Sequence, residues 1–235
     1  MKVKVLYFAY LRDAVGRPSE TVEVPAGVET VGALRDYLVG QGDPWKSGFE
    51  SVKRIRFSVN QVMADETAAT KSLSSRLSPE ASPMGITKVI VRHEDFDVSR
   101  EMEELRKGSG SAGAMVAFTG VVRNRNQGDD IFALTLEHYP GMTESSITAI
   151  ADKARARWEL DDIVVIHRVG RLEVGDQIVL CLVTSAHRGE AFEACEYIMD
   201  WLKTEAPFWK KEETPSGSRW VDARESDEKA KARWQ

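Results

Sequence analysis

The sequence has little cysteine, no surplus of positive charge and no long hydrophobic run. Its 235 residues carry a formal net charge of −5, which argues against general nucleic-acid binding because that usually requires a basic excess. No run approaches the ~18 apolar residues of a membrane helix. The short apolar stretch from Val5 to Leu11 lacks the cleavage site of a signal peptide. We therefore expect a cytoplasmic protein with one large domain or two small ones.

The two cysteines have neither disulfide nor metal-ligand spacing. Cys181 lies in a run that is apolar on both faces, which is typical of a buried strand. Cys195 shares a predicted helical stripe with Phe192, Ile198, Met199 and Leu202. Both cysteines are therefore predicted to be packed core thiols. If the protein performs sulfur chemistry, the sulfur is expected to come from another molecule.

Several common catalytic signatures are also missing. The sequence has no P-loop, no G-x-G-x-x-G and no G-x-S-x-G elbow. The four histidines, at 93, 138, 167 and 187, show no ligand spacing. We therefore predict no metal site, and a structural role for His138.

The first ~70 residues predict a small α+β unit with one packing helix. Strands are predicted over 2–10, 20–24 and 54–62. Between the last two, Thr30 is a candidate N-cap for a helix that places Val31, Leu34 and Leu38 on one face. Residues 71–85 then have the serine- and proline-rich composition of a linker.

From Ile86 onward the pattern predicts a larger α/β domain. Strands are predicted at 88–93, 114–123, 131–138, 162–168 and 177–184, with a polar loop over 124–130. One helix carries Leu105 on its apolar face and ends at Gly108, a second is capped by Thr143, and a third contains Cys195. A hairpin over 208–221 and a charged helical tail complete the predicted domain.

Three stretches of this domain place cations where the chain turns. The first, 119–126, contains Arg123 and is equally compatible with a polar hairpin tip. The second contains His187 and Arg188 at a helix N-terminus, where backbone N–H groups and the helix dipole favour an anion. The alternative is that His187 and Arg188 are ordinary exposed side chains with no binding role. The third stretch, 200–212, brings Lys203 and Lys210 to either side of a turn, and a solvated helix end explains Lys203 alone equally well.

Four motifs in this order resemble the large, catalytic subunits of molybdopterin synthase. They are FTGVVRN (118–124), LTLEHYPGM (134–142), TSAHR (184–188) and LKTEAPFWK (202–210). The resemblance runs from about Ile86 to Trp234. It implies an α/β large-subunit domain over 86–235.

The first ~70 residues resemble the small subunit of the same enzyme, a ubiquitin-like β-grasp sulfur carrier. The resemblance rests on KVLYFA (4–9), VGALR (31–35) and VNQ (59–61). It implies a fusion with a β-grasp domain over 1–72, a linker over 73–85 and the catalytic domain over 86–235. Carriers of this family end in a further strand and a Gly-Gly tail, but no Gly-Gly pair occurs in this sequence. We therefore predict that the N-terminal domain is incomplete and is not a competent sulfur donor.

The resemblance also implies the reaction. Molybdopterin synthase converts cyclic pyranopterin monophosphate to molybdopterin by adding two dithiolene sulfurs, each delivered as a thiocarboxylate on the C-terminal glycine of the carrier. The implied partners are a carrier acting in trans and a second copy in a homodimer, and no permanently bound cofactor is implied. The implied catalytic residues are Lys203 and Lys210, and the implied substrate-binding residues are Val121, Val122, Arg123, His187, Arg188, Lys211 and Glu212.

Two other functions are compatible with the same sequence. In the first, the chain is a non-catalytic fusion that scaffolds or blocks the sulfur carrier. In the second, it is a binding module for a phosphorylated metabolite, and its lysines serve only as anion contacts.

Overall fold

The computed structural model describes residues 2–52, 55–70, 85–108, 110–126, 128–221 and 225–234. The chain divides into two compact units, Met1–Pro79 and Glu80–Gln235. The predicted linker, 73–85, lies outside the described residues except for Gly85. The predicted boundaries at 72 and 86 therefore stay predictions.

The described part of the N-terminal unit contains three short helices, so the prediction of a single packing helix is wrong. Its elements are β1 (Lys2–Leu6), α1 (Ala9–Val15), β2 (Ser19–Glu23), α2 (Val31–Gly40), α3 (Trp45–Glu50), β3 (Phe57–Val59) and β4 (Val62–Ala64). Strand β1 pairs antiparallel with β2, and β3 with β4. The predicted cap of α2 is confirmed, because Thr30 Oγ1 accepts a hydrogen bond from the backbone N–H of Ala33 at 3.2 Å.

Two predicted strands of this unit are wrong in length. The first strand ends at Leu6, because Tyr7 turns inward and donates its hydroxyl to Glu20 Oε1 at 2.6 Å while accepting from Trp45 Nε1 at 3.0 Å. The strand expected over 54–62 is a hairpin instead. Asn60 and Gln61 adopt φ angles of 50° and 67° between β3 and β4, which is the left-handed turn conformation that asparagine tolerates.

The C-terminal unit contains two four-stranded sheets and four helices among its described residues. Its elements are β5 (Thr87–Arg92), α4 (Val98–Gly108), β6 (Ala114–Val121), β7 (Arg125–Asn126), β8 (Asp129–Asp130), β9 (Ala133–His138), α5 (Met142–Arg155), β10 (Ile163–Arg168), β11 (Gly170–Glu173), β12 (Gln177–Ser185), α6 (Arg188–Glu205), β13 (Phe208–Thr214), β14 (Gly217–Val221) and α7 (Glu225–Ala232). One sheet has the order β5-β10-β12-β6 and the other β11-β9-β13-β14. Only the β5–β10 pair is parallel among the pairings within these two sheets of the described chain.

The predicted long strands, the hairpin over 208–221 and the helical tail are confirmed. Helix α5 begins differently from the prediction. Gly141 precedes its first residue, and the backbone N–H of Gly141 donates to Glu144 Oε2 at 2.7 Å. Thr143 lies inside the helix, where its hydroxyl donates to the Tyr139 carbonyl at 2.9 Å. Strand β11 and the β7–β8 hairpin were not predicted because each is very short.

The thiols of Cys181 and Cys195 are buried, as predicted, and neither forms a disulfide. Both residues lie in the core formed by α5, α6 and the faces of β10 and β12 that these helices cover. Phe192 was expected on the same stripe as Cys195, but it is 62% exposed. Ala191 and Ala194 are buried on the core face of α6, and the predicted Ile198, Met199 and Leu202 are confirmed there.

Gly85 occupies a position that excludes a side chain. A Cβ built there would lie 1.7 Å from the carbonyl oxygen of Asp161, and the backbone φ is +148°. Gly85→Ala is therefore expected to lower the free energy of unfolding of the C-terminal unit by about 1–3 kcal/mol through overpacking. Thermal denaturation of the full chain checks this. Gly110→Ala is the control, because its Cβ would meet nothing within 4 Å, and an equal effect of the two substitutions would contradict the prediction.

Candidate active site

A small open pocket lies where β6 leads into the β7–β8 hairpin beside β13. Three of its side chains are cationic, Arg123, Arg125 and Lys210, and one is acidic, Glu212. The remaining lining residues are Val121, Val122, Asn126, Ile131, Leu134 and Ile178. The pocket therefore combines three cations with apolar side chains around a buried carboxylate, which suits a small anionic molecule.

Glu212 is the buried acid of this pocket, with only 1% of its surface exposed. Its Oε1 lies 3.1 Å from Lys210 Nζ and accepts a hydrogen bond from Asn126 Nδ2 at 2.6 Å. Its Oε2 lies 3.5 Å from Arg219 Nη2. A buried carboxylate is costly unless cations and donors compensate it, and these three partners provide that compensation.

The alternation of side chains along β13 separates the two neighbouring lysines. Lys210 and Glu212 point to the same face of the strand and line the pocket. Lys211 points to the opposite face, where its ammonium lies 5.2 Å from the centre of the Trp220 ring. The structure thus brings together Val121, Val122, Arg123, Lys210 and Glu212 of the predicted site, but does not include Lys211 in the pocket lining.

Lys203 is exposed in the last turn of α6. The helix ends at Glu205, and its C-cap residue Ala206 is extended, with φ of −65° and ψ of 135°, because a residue that precedes proline is disfavoured in the helical region. Pro207 then leads into β13, which carries Lys210. The two predicted catalytic lysines therefore flank the α6–β13 turn, although Lys203 is not among the residues that line the pocket.

His187 and Arg188 are exposed at the other end of α6. His187 is the N-cap residue, and its backbone N–H donates to Ser185 Oγ at 3.3 Å. From Arg188 to Lys203 the helix rises ~22 Å, at 1.5 Å per residue. The two ends of α6 in one chain are therefore too far apart to contact the same small molecule.

Two histidines contact the residue that begins β13. His167 stacks on Phe208 with ring centroids 3.9 Å apart, and the ring of His138 lies 6.5 Å from Phe208. Burial lowers the pKa of both imidazoles, that of His167 to about 4. The predicted hydrogen-bonded role for His138 is not supported at Nδ1, a buried atom that has no partner among the described residues.

His167 is expected to make stability depend on pH. Its pKa is about 4 in the folded state and near 6.5 in an unfolded chain. As pH falls from 6.5 to 4, the unfolded state binds a proton that the folded state does not bind, so stability decreases by roughly 3 kcal/mol. Urea denaturation at pH 7 and pH 4.5 should show a smaller loss for His167→Gln than for wild type. His187→Gln should lose as much stability as wild type. If His167→Gln also loses as much stability between pH 7 and pH 4.5 as wild type, His167 is not the group responsible.

Five pocket residues were not predicted as site residues, although the first two lie in the cationic stretch 119–126: Arg125, Asn126, Ile131, Leu134 and Ile178. The polar loop that contains Arg125 and Asn126 is also compatible with a hairpin tip, and nothing in the local pattern indicates which of its side chains is buried. The apolar residues lie in strands whose inward faces are shared by core and pocket alike. A dense run of arginine and asparagine beside a strand end was the one available signal.

No cluster of three or more His, Cys, Asp or Glu side chains suited to a metal occurs within the described ranges. In the same part of the chain, no helix combines the length and the apolar character needed to span a membrane.

Two protein families match different parts of the chain. The ThiS family matches residues 5–75, and the family described as MoaE protein matches residues 91–205. The chain is thus a ubiquitin-like ThiS unit fused to a MoaE unit, as the sequence predicted, in a mixed α+β architecture.

The relatives of the second unit share a name. The molybdopterin synthase catalytic subunit of Escherichia coli (strain K12) is 56% identical over 151 residues, which are 64% of this chain and 100% of that protein. That of Vibrio cholerae is 57% identical over 148 residues, 63% of this chain and 98% of that protein. The solved structure of the molybdopterin biosynthesis MoaE protein from Burkholderia ambifaria is 48% identical with a TM-score of 0.56, covering 63% of this chain and 98% of that one. The chain belongs to the family of molybdopterin synthase catalytic subunits.

Proposed function

We propose that this chain transfers sulfur from a thiocarboxylated carrier protein to cyclic pyranopterin monophosphate, forming the dithiolene of molybdopterin. The observation that carries the proposal is the pairing of Lys210 with buried Glu212 beside Arg123 in one pocket. A substrate phosphate suits the guanidinium groups of Arg123 and Arg125, and a planar pterin can pack against the apolar side chains while its polar edge meets Asn126 and Glu212.

The two lysines have separate roles in this proposal. Lys210 is held by Glu212 at 3.1 Å, so its ammonium is directed at one place in the pocket. Lys203 is exposed at the end of α6, where the tail of an incoming carrier can reach it. A lysine in either position can move a proton during displacement of the carrier carboxylate, and a transient covalent bond to the carrier is the alternative role for Lys203.

A homodimer accounts for the placement of His187 and Arg188. These residues lie ~22 Å along α6 from Lys203, so they cannot act on the same substrate within one chain. A second copy that presents the N-terminus of its α6 to the pocket would add two donors and a helix dipole for the substrate phosphate. We therefore propose that each site uses His187 and Arg188 of the partner subunit, while Lys211 supports β13 from its opposite face.

The test is reconstitution with the full chain, cyclic pyranopterin monophosphate and a separately purified thiocarboxylated carrier. We expect the dithiolene product, detected by mass spectrometry. Binding of the precursor without product would favour the metabolite-binding module. Binding of the carrier without product would favour the non-catalytic scaffold.

A further inference from the structure

Asn126 is a buried polar residue in the β7–β8 hairpin, whose other described residues are exposed. Only 5% of its surface is accessible, whereas its neighbours Asn124 and Arg125 are exposed. Burial of a side-chain amide is unfavourable unless hydrogen bonds replace those to water. The contacts of Asn126 therefore indicate why the chain places it there.

The amide of Asn126 joins the two charged sides of the pocket. Its Nδ2 donates to Glu212 Oε1 at 2.6 Å, and its Oδ1 accepts from Arg123 Nη2 at 3.4 Å. A carboxylate can only accept and a guanidinium can only donate, so these two partners determine which way the amide faces. Neither aspartate nor leucine, the two residues closest to it in shape, could make both contacts.

The same oxygen of Glu212 also receives Lys210. Lys210 Nζ lies 3.1 Å from Oε1, the atom to which Asn126 donates. The other oxygen, Oε2, faces Arg219, whose Nη1 donates to Asp129 Oδ2 at 2.6 Å. The orientation of the carboxylate is therefore set from both sides, and the orientation sets where the flexible lysine side chain can place its ammonium.

We propose that Asn126 is a positioning residue, which fixes the Glu212 carboxylate and through it the distance between the Lys210 ammonium and the Arg123 guanidinium. The inference rests on the proposed function, in which Lys210 acts on a substrate that Arg123 holds. Asn126 acts through Glu212 and does not itself take part in the chemistry. Its loss affects turnover more than it affects docking of the carrier.

The test compares Asn126→Ala and Asn126→Asp in the full chain with wild type in the reconstituted reaction. Asn126→Ala is expected to lower kcat about tenfold, because a hydrogen bond to a charged group is lost, while KM for the carrier stays within about twofold. Asn126→Asp is expected to be worse, because it places a second carboxylate beside Glu212. Asn124→Ala, in the same loop but outside the pocket lining, is the matched control and should leave kcat unchanged.

A double substitution separates positioning from a general loss of packing. If Asn126 acts through Glu212, adding Asn126→Ala to Glu212→Gln should lower kcat by less than about twofold further. A full tenfold loss in that background, or an unchanged kcat in Asn126→Asp, would overturn the proposal. Measurements below the thermal transition of each variant exclude unfolding as the cause.

A crystal structure of full-length Asn126→Ala gives a readout that does not depend on turnover. We expect Lys210 Nζ to move away from its position 3.1 Å from Glu212 Oε1, and an unchanged contact would refute the positioning role. If wild type itself makes no product, the proposed function fails, but this structural result still decides whether Asn126 orients the pair.

Discussion

Lys203→Arg should lower turnover in the reconstituted reaction by about 10²–10⁴-fold, the contribution typical of a positioned proton-transfer group. The substitution keeps the positive charge but replaces a compact ammonium that can lose its proton by a planar guanidinium that cannot. Because Lys203 is exposed at the end of α6, the substitution should change the melting temperature little. A loss of turnover without a loss of stability would therefore report on chemistry.

Lys107→Arg is the matched control for this experiment. Lys107 also lies exposed in the last turn of a helix, α4, and pairs with Glu103 at 2.7 Å. It should retain wild-type turnover. Full turnover in Lys203→Arg would show that Lys203 is only an anion contact or a solvated helix end. That result would contradict a proton-transfer role for Lys203.

Without a carrier in trans, the full chain and cyclic pyranopterin monophosphate should yield no dithiolene, and a thiocarboxylated carrier should give product. A thiocarboxylate needs a free C-terminal carboxyl group, and the 235 residues contain no Gly-Gly pair at which cleavage could expose the family's usual tail. Both core thiols are buried, so neither can replace the carrier as a sulfur source. The amount of dithiolene product is therefore expected to depend on the added carrier, because the carrier is the sulfur donor.

Product formation by mass spectrometry measures this dependence, and carrier lacking the thiocarboxylate is the control. The intact mass of the chain from its own host should be measured in parallel, because cleavage would create a new C-terminus. Product from the chain alone would contradict the prediction and assign donor activity to the N-terminal unit. Inhibition that high carrier concentration relieves would indicate that this unit competes for the docking surface.

The local pattern of apolar and turn residues was sufficient to predict most strands and helices of the C-terminal unit. The buried strands β10 and β12 are continuous apolar runs, and β13 and β14 flank a Pro-Ser-Gly turn, so both could be predicted. The elements of the N-terminal unit were harder to predict. Helix α1 follows β1 almost directly, and the inward turn at Tyr7 depends on Glu20 and Trp45, which are distant in sequence.

In the candidate site, too, some residues could be predicted from the local sequence and others could not. Arg123 and Lys210 could be singled out because each lies near a chain turn in a cationic stretch. The contact between Asn126 and Glu212 joins residues 86 positions apart, and no periodicity in either segment indicates that their side chains meet. That contact exists only because the β7–β8 hairpin packs beside β13.

The sequence by itself predicted a two-part chain and core positions for both thiols, and the family resemblance added the expectation that another protein delivers the sulfur. The first two predictions follow from composition, apolar periodicity and ordered motifs, all of which are local properties of the chain. Only the tertiary structure decided that Lys210 shares the pocket with Glu212 while Lys211 faces Trp220, and that the pocket lies beside β13, whereas α6 holds Arg188 ~22 Å from Lys203. The physical reason is that the alternation of a strand shows which side chains share a face, but only the packing of the strand shows which face borders the pocket. Likewise, the length of a helix is a local property, but its packing decides which of its ends lies near the pocket.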